Sequence, residues 1–179
     1  MLCTEDGTVP SDLRAGNIVR IKGTFFTMRD SSLNLLAKGS KSLRELDDEN
    51  APSIFFASPS CVSDKTCLSI GPTTSGRFEA FFQYLVSSGV RNIMGKGEIS
   101  RKACGILNSK SVVYFQALGG VAAYYGQRVK NIEPILYPEM GPEAIYKVTV
   151  ADFPVIVSLD SNGNIFPEQK EGNHDKKNF

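Results

Sequence analysis

Gly71-Pro72-Thr73-Thr74-Ser75-Gly76-Arg77 sets three hydroxyls and a guanidinium in the short stretch between an apolar run and an amphipathic one. The apolar run is Cys67-Leu68-Ser69-Ile70. Downstream, Phe78, Phe81, Phe82, Leu85 and Val86 recur at the i, i+3, i+4, i+7, i+8 spacing of a buried helix stripe, and Gly89 supplies the stop. A strand-to-helix turn leaves the first N–H groups of the helix unpaired at the positive end of its dipole. Thr and Ser can cap some of those donors and Arg77 adds a permanent charge, so the turn suits a carboxylate or a phosphate. A plain capped helix with a solvated arginine is the structural alternative.

Gly95-Lys96-Gly97 is a second glycine-rich turn with a cation. It is not a P-loop: Gly89 lies one residue too far upstream, and Gly97 stands where Ser or Thr would meet magnesium. An ordinary glycine turn with an exposed lysine is equally compatible with the residues. If successive strand ends lie side by side in an α/β sheet, Lys96 approaches Thr73 and Arg77 from the neighbouring turn. Arg29, in Arg29-Asp30, is a further cation leading into a helix, with a local Arg–Asp pair as the simpler reading. Gly119-Gly120 allows close approach of a ligand or subunit, or tight packing alone. Tyr124-Tyr125 reads as core and rim, because no basic stripe accompanies it as nucleic-acid stacking would require.

Several elements must position these residues. Residues 15–23 read as a turn feeding an alternating strand, and Thr24 to Thr27 extend it or pair with it; a helix capped by Asp30 or Ser31 follows, with Leu33, Leu36 and Ala37 facing the core. The acidic run 43–50 is a helical turn or loop. Ile54 to Ala57 and Lys65 to Ile70 are strands separated by the breaker Ser58-Pro59-Ser60. Asn92-Ile93-Met94 and Val112 to Phe115 are strands, each followed by a helix: one over 100–108 capped by Ser100, the other carrying Val121, Ala122, Tyr125 and Val129. Strands alternating with helices predict βαβ units, a largely parallel sheet in this half, and a ligand beyond the strands' carboxyl ends. Strands at 133–137 and 153–159 flank a short helix at 141–146, and 160–164 is a turn before Ile165.

The chain's 179 residues suit one domain, with a 41% apolar fraction sufficient for its own core. A net charge of +1 with both signs interspersed argues against a nucleic-acid face. No run reaches membrane-span length, and the first residues lack the basic and apolar regions of a leader, which predicts no membrane partner and a cytoplasmic location. Cys3, Cys61, Cys67 and Cys104 show no metal-ligand spacing and read as reduced thiols; no metal site is expected. The single histidine, His174, sits in the polar tail 168–179, which reads as disordered. Histidine-based triads and His-ligated zinc are therefore excluded within this chain.

Taken in order, Gly71 to Arg77, Gly95-Lys96-Gly97, Gly119-Gly120, Gly141-Pro142-Glu143-Ala144, Asp152-Phe153-Pro154 and Asp160 to Asn164 resemble one family. It comprises the β subunits, or equivalent C-terminal domains, of iron-sulfur-dependent class I fumarate hydratases and L(+)-tartrate dehydratases. The likeness runs from about residue 13 to 166. It implies a swivelling β/β/α domain over 1–167 with a mixed, partly parallel sheet. It further implies a partner α subunit carrying a 4Fe-4S cluster, a hetero-oligomer, and reversible hydration of a small dicarboxylic acid, fumarate to malate or alternatively tartrate. By the same resemblance Arg29, Thr73, Arg77 and Lys96 bind substrate, and Thr73 and Lys96 support proton transfer. One departure stands out: the family's Arg-Asp-Ala-Ala-His is here Arg29-Asp30-Ser31-Ser32-Leu33. That exchange favours a third reading, a non-catalytic dicarboxylate-binding or regulatory module.

Overall fold

The computed structural model describes residues 13–39, 43, 46, 52–63 and 66–167. Cys3, the Cys61 side chain, most of the run 43–50, and the tail 168–179 with His174 lie outside the described residues. The chain forms β1 (Ile18–Thr27), α1 (Asp30–Ala37), β2 (Ser53–Phe55), β3 (Ala57–Ser63) and β4 (Thr66–Pro72). A 3-10 helix (Ser75–Phe81) leads into α2 (Phe82–Ser87), then β5 (Asn92–Gly95), α3 (Arg101–Asn108), β6 (Val113–Gln116) and α4 (Ala122–Gly126). β7 (Val129–Leu136), a 3-10 turn (Pro138–Glu143) and β8 (Ile145–Leu159) complete it. None of the described helices is long and apolar enough to cross a membrane.

Six strands form one mixed sheet in the order β1-β2-β5-β6-β8-β7, and a β1–β8 pairing closes five of them into a barrel-like ring. β1, β2, β5 and β6 run parallel, while β8 is antiparallel to β6, β1 and β7. Period-two alternation gives this sheet two buried faces. Ile54, Ile93 and Tyr114 share one rung and face the helices; Phe55, Met94 and Phe115 share the next and face the ring interior. On the helix side, Leu33, Leu36, Phe82, Leu85, Val86 and Leu107 bury the stripes of α1, α2 and α3. Inside the ring, Phe25, Phe55 and Phe153 meet edge-on at 5.1–5.7 Å between centroids, and Tyr125 of α4 stacks on Phe153 at 4.1 Å.

The expected βαβ order holds across β5-α3-β6, and Ser100 caps α3 by accepting from Ala103 N–H at 3.2 Å. Four local expectations are corrected. Ser58-Pro59-Ser60 does not break a strand; it lies inside β3, where Pro59 faces Ile70 of β4 in a separate two-stranded sheet whose open edge tolerates a missing N–H. The helix expected over 141–146 is the 3-10 turn, and Tyr146 is already in β8, which runs unbroken for 15 residues. The helix expected to reach Val129 ends at Gly126, whose missing Cβ lets α4 lie on the Leu68 backbone. At α1 the cap is Arg29 rather than Asp30 or Ser31, and Ser32 Oγ accepts the Arg29 N–H at 3.1 Å.

The turn after β8 is organised by buried Asp160. Its carboxylate accepts from Ala15 N–H at 3.1 Å, from the Asn162 and Asn164 N–H groups at 3.0 Å each, and from the Asn164 amide at 2.9 Å. Burial alone would raise its pKa, but the bonds from Asn164, Ala15 and Asn162 outweigh it and hold the carboxyl below its ordinary value. A depressed folded-state pKa stabilises the fold above the unfolded value of about 4 and loses that contribution as pH falls below it. Asp160→Asn should therefore cost about 2 kcal/mol near pH 7, as hydrogen bonds to a charged group do. In thermal melts the gap between variant and parent should close as pH is lowered through about 4 and below.

Candidate active site

β4 and β5 belong to different sheets and end at Pro72 and Gly95, but the backbone just beyond them pairs directly. Lys96 N–H donates to the Thr73 carbonyl at 3.1 Å, Ser75 N–H donates to the Lys96 carbonyl at 2.9 Å, and Thr74 and Lys96 form a parallel bridge. Phe56, between β2 and β3, ties this junction to the sheet. Its N–H reaches Met94, and its carbonyl accepts both the Thr73 N–H at 2.8 Å and the Thr73 hydroxyl at 3.1 Å. Thr73 thus turns its proton toward the main chain and keeps its lone pairs available. The expected approach of the two glycine-rich turns is present at the carboxyl ends of the strands.

This junction depends on a missing side chain. A Cβ on Gly95 would fall on Ser75 Oγ, with Phe56 Cδ2 at 3.3 Å. Ser75 is fully buried, and its Oγ lies 2.8 Å from the Tyr114 hydroxyl, which is also 2.8 Å from the Gly97 carbonyl. A carbonyl only accepts, so the phenol proton goes to Gly97 and the Ser75 hydroxyl turns toward the phenol oxygen. Burial pushes the Tyr114 pKa far above its ordinary range, with the Ser75 bond opposing, so Tyr114 is a neutral post under both turns.

Lys96 is half-buried, with its stem against Gly119, where a Cβ would stand 3.0 Å from Lys96 Cδ. Gly119 therefore serves close packing of the site's own cation. Lys96 has no carboxylate partner among the described residues. The arginines do. Arg77 meets Asp30 at 2.7 Å, with side chains 53% and 36% exposed, and Arg29 Nε lies 3.0 Å from Glu143 Oε1, with side chains 26% and 27% exposed. The expected local Arg29–Asp30 pair is not formed; each member pairs with a different, distant element. Thr74, Gly76, Arg77 and Leu118 to Gly120 are exposed, so the turn bearing Arg77 and the glycines beside Lys96 form a shelf open to solvent.

Tyr125 is buried, its hydroxyl bridging Leu118 N–H and the Pro154 carbonyl, while Tyr124 lies on the rim under the Arg128 guanidinium. Leu33, at the resemblance's histidine position, is fully buried in the helix-side core and offers the shelf no polar group. Among the described residues no three His, Cys, Asp or Glu side chains cluster to hold a metal; the Cys67 thiol donates to the Ser69 carbonyl, and Cys104 is buried. The Thr and Ser hydroxyls expected to cap the helix make no side-chain cap there: Thr73 donates to Phe56 and Ser75 meets Tyr114. Sequence reasoning assigned no role to Glu143, Phe56 or Tyr114. Only Glu143 had a signal, its place in the Gly141-Pro142-Glu143-Ala144 motif; the others act through backbone or buried contacts.

The fumarase C-terminus family pattern matches residues 7–170. A Geobacillus stearothermophilus protein named for class I fumarate hydratase is 32% identical over 166 residues, 89% of this chain and 32% of that one. The chain thus spans about a third of that relative. A Methanocaldococcus jannaschii protein named for L(+)-tartrate dehydratase subunit beta is 34% identical over 175 residues, 93% of this chain and 90% of that one. The L(+)-tartrate dehydratase subunit beta of Escherichia coli K12 is 33% identical over 164 residues, covering 86% and 78%.

Two glycine variants separate fold from site. Gly95→Ala drives a methyl into Ser75 Oγ and should cost about 2 kcal/mol or more by overpacking, lowering Tm by on the order of 5 °C. Gly119→Ala meets only the flexible Lys96 stem, and its Tm should stay within about 2 °C of the parent. Circular-dichroism melts of both variants check this, and equal losses would remove the special role given to Gly95.

Proposed function

The chain belongs to the fumarase C-terminus family, and on that premise we propose that it is the β subunit of an iron-sulfur hydro-lyase acting on a small dicarboxylic acid. Fumarate to malate is the first reading and L(+)-tartrate the second, because both substrates present paired carboxylates to the same cations. The observation that carries the proposal is the spliced strand-end junction, which sets Thr73 beside Lys96 and opens the shelf bearing Arg77. Relatives named as β subunits match this chain over most of their length, which supports a separate α subunit and a hetero-oligomer. We assign the swivelling β/β/α type to the ring with its β3–β4 hairpin, and a cytoplasmic location to the complex.

Dehydrating a 2-hydroxy dicarboxylate requires removal of a weakly acidic C–H proton, stabilisation of the resulting charge and departure of hydroxide. The described residues do not fit an iron-sulfur cluster. We therefore place the 4Fe-4S cluster on the α subunit, where a metal with an open position supplies Lewis acidity. In this chain Arg29, Arg77 and Lys96 neutralise and orient the carboxylates. Thr73 presents lone pairs, since its proton is directed to Phe56. It accepts a hydrogen bond from substrate or water, and to take up the substrate proton it must first release its own to solvent, a loss that the Lys96 charge on the adjoining strand end favours by stabilising the alkoxide. A non-catalytic dicarboxylate-binding module is the reading that Leu33 favours, because the family's imidazole is replaced by a core residue.

The test is anaerobic co-expression with the cluster-bearing subunit and assay of fumarate, malate and tartrate. The complex should turn over at least one acid and the chain alone none; turnover by the chain alone would sink the split-subunit reading. Binding without turnover of any of the three would favour the module. Arg77→Ala and Lys96→Ala should each lower kcat/KM about 100-fold, the loss of roughly 2.7 kcal/mol of transition-state binding. Arg77 is exposed, and Lys96 is half-buried with no carboxylate partner among the described residues, so melts should move little.

A further inference from the structure

We propose that Glu143 is the positioning residue of Arg29: it holds the inner edge of the guanidinium so that the outer end meets a substrate carboxylate without reorganising. The inference rests on the reading of the shelf as a dicarboxylate clamp. Glu143 divides its carboxylate between two tasks. Oε1 stands 3.0 Å from Arg29 Nε, and Oε2 accepts the Ser31 N–H in the first turn of α1 at 3.2 Å. Arg29 Nε is completely buried and lies off the line of a good hydrogen bond to Oε1, so the hold is that of an ion pair on a desolvated edge. A desolvated cation edge without its counter-charge is costly, which gives Glu143 strong purchase on the ring of atoms it faces.

Glu143 is itself fixed from outside α1. The Tyr146 hydroxyl donates to the Gly141 carbonyl at 3.0 Å, Ser58 Oγ donates to the Pro142 carbonyl at 3.0 Å, and Ala144 N–H returns to Gly141 at 3.0 Å. Gly141 takes a positive φ of 55° that glycine accepts without strain. The acid therefore projects from a loop anchored on β3 and β8, a post independent of the helix that carries Arg29. Among the described residues the terminal nitrogens of Arg29 make no hydrogen bond and remain available. The Arg77–Asp30 pair differs: it joins the terminal nitrogen itself, between more exposed side chains. A site whose gripping group is held in one orientation before binding loses less entropy on binding.

The experiment compares parent, Glu143→Gln, Arg29→Lys and the double variant. In the full-length chain, the Arg29 Nε–H signal is read by 15N NMR, assigned by its disappearance in Arg29→Lys, and succinate is titrated as an unreactive dicarboxylate. In the complex with the α subunit, KM and kcat are measured on the acid that is turned over. Glu143→Gln should fold with a lowered Tm, lose or broaden the Arg29 signal, weaken succinate binding and raise KM about tenfold, the release of one charge-assisted contact, with kcat less affected. In the Arg29→Lys background it should add nothing further. An unchanged Arg29 signal, unchanged succinate affinity, or effects that multiply independently would overturn the proposal. If the parent complex turns over none of the acids, the hydro-lyase reading fails, and the NMR signal with the succinate titration still decides on Glu143. Should Glu143→Gln not fold, Glu143→Asp, which keeps the charge but withdraws it from Nε, is scored by the same readouts.

Discussion

The site depends on a backbone splice that is only two hydrogen bonds long. Strand pairing formally stops at Gly95, but Lys96 exchanges bonds with Thr73 and Ser75, so the loop after β4 is held as though it were one more parallel strand. Two conditions make this possible. Gly95 has no Cβ where Ser75 must sit, and Phe56 offers one carbonyl to both the backbone and the hydroxyl of Thr73. The chemistry-bearing side chains are therefore oriented by main chain. That is why variation of Thr73 or Lys96 can be expected to alter function while the loop keeps its course.

The strands that carry this junction are short. β2 has three residues, and β5 and β6 four each, too few for parallel pairing to stand alone. Their support comes from the longest element, β8, which runs antiparallel to β1 over most of its length and reaches β6 at its far end. Ring closure removes the free edges of β1 and β6 on that side and encloses the aromatic cluster of Phe25, Phe55 and Phe153. The helices then cover the opposite face. The turns at the carboxyl ends of β5 and β6 are left open to solvent, with Arg77 and the Gly119-Gly120 pair exposed there.

Much of this was legible because local rules and burial agree. The stripe from Phe78 to Val86, the Ser100 cap, the apolar strand at Ile54-Phe55 and the Asp160 turn each follow from composition, spacing or a residue's own hydrogen-bonding capacity. Failures fell where a distant partner decides. Pro59 looks like a breaker until β4 pairs with it on a free edge. Tyr146 looks helical after Pro142, but it lies between β7 and the Thr27 hydroxyl, and tertiary pairing overrides local propensity. Gly95 and Gly119 read as generic turn glycines, and only the atoms above them show which clash each avoids.

The acids show most clearly why sequence adjacency misled. Arg29 and Asp30 are neighbours, yet consecutive residues at a helix start point in different directions. One reaches Glu143 in the turn before β8 and the other Arg77 in the 3-10 helix after β4, so the two residues tie the start of α1 to elements distant in sequence. Two of the three cations thus face acids from distant elements, while Lys96 has no carboxylate partner among the described residues. Leu33 belongs to the layer beneath: fully buried in the helix-side core, it packs α1 and presents no polar group to the surface that carries Arg29 and Asp30.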